Sequence, residues 1–420
     1  MLGLGLALLV LLLLILGQPL FVIIGSVTAY CFHFYSDESL KVIVGDIFFA
    51  GDKEVLLAVP LFVLAGNLMT QGTIAKRLIR LASAVTAPIP SGLAIAAVMS
   101  CSIFAAISGS SPVTLIAVGS ILYPALNKAG YDKNLSIGLL SAGGTLGIII
   151  PPSIPMIIFA IMASVSVVDL FKAGIGPGIV LSILLMIFAL LRGGKAARGK
   201  WDKVELWASV KSGILSLLMP VIILGGIYTG FFTATESAGV AVVYALIVEF
   251  LVHREMKVNQ LPKVFSETAL MLGTLFLILL LAVSLNKFMT YQQIPQNMVE
   301  SLSGLIDSKL SFWIGVNILL LLVGCFMDIM SAILVLAPLL TPMAIHFGIN
   351  PIHFGIVMIV NLEIGYLTPP VGINLFVASS IFNEPLGKVI KATMPLVLTL
   401  LIGLMIITFF PSISLFLLSK

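Results

Sequence analysis

Two adjacent prolines, Pro151-Pro152, stand inside the apolar run GIIIPPSIPMIIFA that starts at Gly147, and a second pair, Pro369-Pro370, stands inside GYLTPPVGINLFVA from Gly365. A proline inside a helix removes one backbone N–H and clashes with the carbonyl of the preceding turn. Each pair therefore leaves carbonyl oxygens free to meet a cation, and opens a half-helix whose N-terminal N–H groups can face an anion. Unwound backbone of this kind is tolerated at membrane depth where it lines a cavity. Two polar breaks add side chains to that chemistry: SGSSP from Ser108 to Pro112, and the single carboxylate of Asp328, which has no adjacent basic residue. An ionisable group in such a place is a functional-site residue by default. Its plainer reading is a tip carboxylate that reaches water or caps the half-helix after it.

The elements that must position these residues are apolar helices. The 420 residues are 60% hydrophobic and 10% charged, with a mean hydropathy of +1.20, outside the range of an ordinary soluble domain. Several runs exceed the roughly 20 apolar residues that cross a bilayer as a helix, and the aromatic alternation of a membrane barrel is absent. The expected class is an all-α polytopic membrane protein. A net charge of +4 does not argue for nucleic acid. Cys31, Cys101 and Cys325 lie in or beside apolar stretches and read as packed free thiols. The opening MLGLGLALLVLLLLILG lacks a basic leader region and a small-residue cleavage site, and reads as a retained membrane segment. Whether residues 1–35 form one long helix or two short ones around Gln18-Pro19 stays open at this point.

The two proline pairs are 218 positions apart, and at that offset Gly147 falls on Gly365, Ala160 on Ala378, Pro124 on Pro342, Gly130 on Gly348 and Ser110 on Asp328. Each half reads as an apolar segment, a polar break, a second apolar segment, a glycine turn and a Pro-Pro-broken helix. Basic residues mark cytoplasmic connections. With LRGGKAARGKWDKVELWASVK (Arg192, Lys195, Arg198, Lys200, Lys203, Lys211) placed inside, and spans at about 213 to 231 and 235 to 252, HREMKVNQLPK is inside too. Lys76, Arg77, Arg80, Lys128, Lys133, Lys388 and Lys391 follow, so 16 of the 22 Lys and Arg are cytoplasmic and the acidic stretch 36–54 is periplasmic. The polar-tipped segments are then re-entrant hairpins entering from opposite sides, and the two repeats have inverted topology. Secondary transporters are built this way, with substrate and coupling ions near the midplane.

Other residues have quieter readings. Glu236 in TATESAGVAVV sits where a turn opens a helix and reads as a cap. Glu363 lies one turn before the second break and could tune the field there. Glu249, near His253 and Arg254, reads as snorkelling to the interface. TIAKRLIRLASAV (73–85) and TYQQIPQNMVESLSGLI (290–306) are too polar to span and read as interfacial arm helices. No metal-ligand spacing and no phosphate-binding GxxxxGK[ST] motif occurs. A serine hydrolase using Ser108 or Ser110 would lack an evident base, so the chain does not read as an enzyme. A passive channel would leave the paired breaks unexplained.

AISGSSPVT (106–114), GGTLGIIIPPSIP (143–155), GFFTATESAGVAVVYAL (230–246), GCFMDIMSAILVLAPLLTPMA (324–344) and NLEIGYLTPPVGINLFVA (361–378) together resemble the large membrane (M) subunit of TRAP transporters, within the ion-transporter superfamily. The resemblance covers essentially the whole chain; Val113 and Ala234 stand where alanine and proline are common. It implies a sodium-driven importer of an organic acid anion, from the sialic acid or C4-dicarboxylate branch, in the bacterial inner membrane. A periplasmic binding protein would deliver the substrate and a small membrane (Q) subunit would pair with the chain; Na+ is the coupling ion, and no other cofactor is implied. It also implies an elevator-type movement of a transport domain (91–164 and 311–383) against a scaffold (1–70, 165–286 and 384–420), braced by arm helices (71–90 and 287–310). One sodium would sit between Ser108, Gly109, Ser110 and Ser111 and the break at Gly147 and Pro151. A second would sit between Asp328 and the break at Gly365, Thr368, Pro369 and Gly372. Ser153 and Asn374 would touch substrate. A stand-alone sodium-coupled anion carrier of the same superfamily is the alternative.

Overall fold

The computed structural model describes residues 2–36, 38–71, 74–193, 201–302 and 308–418, and among these residues no strand occurs. The chain opens with two helices, α1 (Leu2–Ile15) and α2 (Leu20–Tyr35). The break between them holds Gly17 at φ +64, a left-handed conformation that glycine adopts without cost, followed by Pro19 as the N-cap of α2. The pair folds back on itself, because a Cβ at Gly5 would strike the Tyr30 hydroxyl. After α3 (Lys41–Gly51) and α4 (Glu54–Gln71), α5 (Ile74–Thr86) turns 69° away from α4. Its amphipathic period explains why: Ile74, Ala75, Leu78, Ile79, Leu81 and Ala82 are buried while Lys76 and Arg80 face outward. This is the helix expected as the first arm.

A hairpin follows, α6 (Gly92–Ser108) and α7 (Ser111–Lys128), and then a broken helix made of α8 (Lys133–Gly144), the single turn α9 (Leu146–Ile149) and α10 (Ile154–Ala163). Three long helices come next, α11 (Val167–Arg192), α12 (Lys203–Tyr228) and α13 (Ala234–Leu246), the last continuing as a π-helical turn over Ile247–Val252. Then come α14 (Leu261–Tyr291) and the short α15 (Ile294–Leu302), which lies where the second arm was expected; residues 303–307 of that arm are outside the described residues. A second hairpin, α16 (Lys309–Phe326) and α17 (Ile329–His346), leads into a second broken helix, α18 (Pro351–Gly365) and α19 (Ile373–Phe382), before α20 (Leu386–Phe409) and α21 (Ser412–Leu415). The offset read from the sequence reappears in these bounds: α7 and α17 begin and end 218 positions apart, as do the ends of α6 and α16 and the starts of α8 and α18. Seven helices among the described residues are long and apolar enough to cross a membrane, or up to nine if each bent pair counts as one span.

Residues expected on the cytoplasmic side collect at one end of the bundle. Arg77 donates to Glu255 at 2.9 Å, Arg80 grips Glu205 with two bonds of 2.6 and 2.8 Å, and Trp201 Nε1 donates to the Val85 carbonyl at 3.2 Å. Arg192 and Lys391 line one cavity there. Lys195, Arg198 and Lys200 lie outside the described residues. At the other end of α4, Thr235 Oγ1 donates to the Glu54 carbonyl at 3.1 Å. The acidic stretch is tied down by Lys287 Nζ, 2.6 Å from Asp46 Oδ1.

Two expectations about lone acids have different outcomes. Glu236 closes a capping box with Thr233, accepting its backbone N–H at 2.8 Å while Thr233 Oγ1 accepts that of Glu236 at 3.1 Å. Glu249 does not snorkel. The π-helical turn carries it, with Val248, onto the packed face, where it is 0% exposed and 3.9 Å from His253 Nδ1.

Candidate functional site

The first hairpin tip is a knot of uncharged oxygens. Gly109 turns it at φ +58. The Thr114 hydroxyl donates to the Ser110 carbonyl at 2.9 Å, and Ser108 Oγ is 2.6 Å from Thr114 Oγ1. Ser108, Ser110 and Ser111 are all buried. The tip seats on the first break by backbone contact: a Cβ at Gly147 would collide with the Ser110 carbonyl, and one at Gly109 would lie 3.0 Å from the Pro152 carbonyl. The break itself is shut away, with Pro151, Pro152 and Ser153 buried around a cis Pro151-Pro152 bond. Ser153 is the N-cap residue of α10, and its hydroxyl has no hydrogen-bond partner among the described residues. Hydroxyl and carbonyl oxygens gathered in this way are the ligand type that hard cations take.

The second tip is built around Asp328, whose carboxylate caps α17 by accepting from Met330 N at 3.2 Å and Ser331 N at 2.9 Å. The Ser331 hydroxyl donates to it at 2.5 Å and the Tyr366 hydroxyl at 3.2 Å, while Tyr366 in turn accepts from Ile329 N at 2.8 Å. Asp328 is thus a cap, the plainer of its two readings, and it is also held against the residue just past the second break's helix. Gly365 and Gly324 meet backbone to backbone, so that a Cβ on either would overlap the other strand of chain. The amides of Val371 and Gly372 both donate to the Cys325 carbonyl at 3.3 Å. Thr368 Oγ1 returns to the Ile364 carbonyl at 2.9 Å. This break, also cis at Pro369-Pro370, is the more open one: Thr368 and Pro369 are half-buried and Pro370 is exposed.

Between the two tips the halves are joined by three side chains that are each 0% exposed, Ser111, Glu363 and Asn374. Ser111 Oγ donates to Glu363 Oε1 at 2.5 Å, and Asn374 Nδ2 donates to Ser111 Oγ at 2.6 Å and to Glu363 Oε1 at 3.1 Å. Glu363 precedes the second break and Asn374 follows it, so the pair splints the break and fastens it to the opposite hairpin. Glu363 Oε2 and Asn374 Oδ1 are buried without a hydrogen-bond partner among the described residues. A buried carboxylate flanked only by neutral donors is costly to keep charged. The two spare acceptors give this centre the chemistry to accept a cation or a hydrogen-bond donor. Asn374 Nδ2 is already engaged by Ser111 Oγ and Glu363 Oε1, so the free atom of its amide is the acceptor Oδ1.

The structure therefore brings the tip of Ser108, Gly109, Ser110 and Ser111 to Gly147 and to the Pro152 carbonyl, whereas Pro151 lines a neighbouring cavity with Met99 and Ile103. It brings Asp328 to the turn of Gly365, Thr368, Pro369 and Gly372. It also joins Ser111 to Asn374, which the sequence reading had assigned to different ligands. The role of Glu363 as the acceptor that joins the halves was not foreseen. Its apolar surroundings and distance from any basic residue were the available signal, the same one that singled out Asp328. A second buried amide pair, Asn361 Nδ2 to Asn317 Oδ1 at 2.6 Å, braces α18 against α16 and was also missed.

Residues 7–413 match the family described as "Tripartite ATP-independent periplasmic transporter, DctM component". The chain is 43% identical over 384 residues to the C4-dicarboxylate TRAP transporter large permease protein of Pseudomonas aeruginosa, across 91% of this chain and 90% of that one. It is 37% identical to the isethionate TRAP transporter permease protein DctMQ of Oleidesulfovibrio alaskensis, across 87% of this chain and 58% of that longer protein. Its fold resembles the crystal structure of the Alcanivorax borkumensis YdaH transporter, with a TM-score of 0.60 at 15% identity over 88% of this chain and 87% of that one. The chain is accordingly a multi-pass membrane protein that belongs to the DctM family, one component of the tripartite ATP-independent periplasmic transporters.

Proposed function

We propose that the chain is the large transmembrane subunit of a sodium-coupled importer of a small organic acid anion, a C4-dicarboxylate before others. The observation that carries this reading is the junction of Ser111, Glu363 and Asn374, which fastens each hairpin-and-break unit to the other at the buried centre. Membership in a tripartite family supports delivery of the substrate by a periplasmic binding protein. The DctMQ name of one relative, whose length exceeds this chain's, supports a small Q subunit as the second membrane partner. The substrate class rests on the C4-dicarboxylate and isethionate relatives, both named for small organic anions; sialic acid is retained as a second substrate to test.

In the proposed cycle, one Na+ occupies the first tip against Gly147 and Pro151, and a second occupies the space between Asp328 and the turn at Gly365, Thr368, Pro369 and Gly372. The anion lies between them. It takes a hydrogen bond from the unengaged Ser153 hydroxyl and one from Asn374 once that amide leaves Ser111. The inverted halves, 91–164 and 311–383, move together as an elevator against the remaining helices. Uptake of labelled succinate into proteoliposomes holding the chain and its small subunit tests this, with and without an inward sodium gradient and a loaded binding protein. Uptake that needs both supports the reading. Uptake without the binding protein makes the chain a stand-alone carrier, and uptake without sodium removes both ion sites.

A further inference from the structure

A cavity of about 380 Å³ opens at the basic end of the bundle, where the start of α8, the end of α11 and the first turns of α20 converge. Its apolar wall includes Leu135, Phe188 and Leu396, and its rim carries Arg192 and Lys391. Among the described residues neither cation has an ion-pair partner, whereas the nearby Lys388 is already held by Glu384 at 2.8 Å. Asp132 also borders the cavity, but its carboxylate is engaged as the N-cap of α8, accepting from Leu135 N at 2.9 Å. Two cations against one acid leave a single positive charge in excess, which matches a phosphodiester monoanion.

Of the two long helices that form the cavity, α20 continues away from it with an exposed apolar stripe: Leu398, Ile402 and Met405 follow Lys391 at helical spacing and are about half exposed. The face of α11 that carries Phe188 and Arg192 is closed beyond the cavity, where Leu181 and Leu185 are buried and Leu181 packs on Gly403 of α20. Because α20 is long and apolar enough to cross a bilayer, its stripe would meet acyl chains with the rim at headgroup depth. Basic pockets between membrane helices on the cytoplasmic side are where anionic headgroups bind. A soluble anion would gain nothing from Phe188, Leu396 or the α20 stripe below them.

We propose that this groove binds an anionic diacyl phospholipid, with its phosphate between Arg192 and Lys391 and its chains along α20. The binding is independent of the transport reading. Native mass spectrometry of the protein extracted with its lipids tests it, comparing wild type, the double variant Arg192→Gln with Lys391→Gln, and Lys203→Gln as a control cation elsewhere at the same end. The double variant is expected to retain about tenfold less phosphatidylglycerol, with Lys203→Gln unchanged. Equal retention in the double variant overturns the proposal, as does an equal loss in the control. Should the double variant not fold, delipidated wild type is titrated with phosphatidylglycerol, phosphatidylcholine or inorganic phosphate while its Tm is followed. A rise with phosphatidylglycerol alone supports the site. An equal rise with phosphatidylcholine overturns it, and a rise with inorganic phosphate makes the site one for a soluble anion.

Discussion

Ser111 and Glu363 are 252 positions apart in sequence, yet the serine hydroxyl donates to the carboxylate at 2.5 Å in the buried centre of the molecule. Removing the acceptor leaves the Ser111 hydroxyl without its partner and Asn374 Nδ2 with Ser111 Oγ alone. Glu363→Ala is therefore expected to cost about 1–3 kcal/mol of stability, and Glu363→Gln, which keeps an acceptor in place, about 1 kcal/mol or less. Thermal unfolding in one detergent decides this; equal losses in the two variants would show that the hydrogen bonds do not hold the halves together.

The glycines under the two tips are expected to be intolerant for a steric reason. A Cβ at Gly147 meets the Ser110 carbonyl and one at Gly365 meets the backbone of Gly324, neither of which can rotate away. Gly147→Ala and Gly365→Ala should each lose about 1–3 kcal/mol and abolish uptake. Gly273→Ala, where nothing lies within 4 Å, should be neutral or stabilising by about 0.5–1 kcal/mol. Uptake by all three at wild-type rates would contradict the packing described.

Asp328 separates capping from ion binding. Asparagine caps as well as aspartate does, so Asp328→Asn should keep the Tm while Asp328→Ala lowers stability by about 1 kcal/mol. If the charge also holds sodium, Asp328→Asn raises the sodium concentration needed for half-maximal uptake. An unchanged sodium dependence in both variants would reduce Asp328 to a cap.

Outside the spans, the carboxyl of Glu384 is held below the usual carboxylate range, first by the hydrogen bond from Lys388 at 2.8 Å and then by that from Tyr123 at 2.9 Å. A depressed folded-state value means its contribution is present above the unfolded value of about 4.3 and lost as pH falls through the lowered one. Because the Lys388 pair is partly exposed, the effect is about 0.5 kcal/mol. In Glu384→Gln the decline of Tm with acidification should be shallower; an identical decline would mean that the pair adds nothing.

What could be read in advance followed from local physics. Pro-Pro in an apolar run, a glycine-serine tip and a fixed offset are all backbone statements, and the ends of α6, α7, α16 and α17 fall where they said. Among the described residues, Arg77 and Arg80 form ion pairs with Glu255 and Glu205, and Arg192 and Lys391 share one cavity, for the same reason, since charge placement is set segment by segment. The Glu363 junction was not legible, because its partners come from 252 positions upstream and from the far side of the break. Nor was the inward face of Glu249, since a π-helical turn changes which residues share a side. Asp328 was singled out by its isolation, but isolation alone could not distinguish a cap from a ligand.

The 252-residue separation of Ser111 and Glu363 also sets a clock on biosynthesis. At ribosomal speeds of about 5–20 residues per second, the first hairpin enters the membrane tens of seconds before its acceptor is made. Through that interval the Ser111 hydroxyl lacks its native acceptor. A ribosome stalled before Glu363 would leave a nascent chain with most of its spans inserted and its centre unlatched, a state that membrane proteases could recognise.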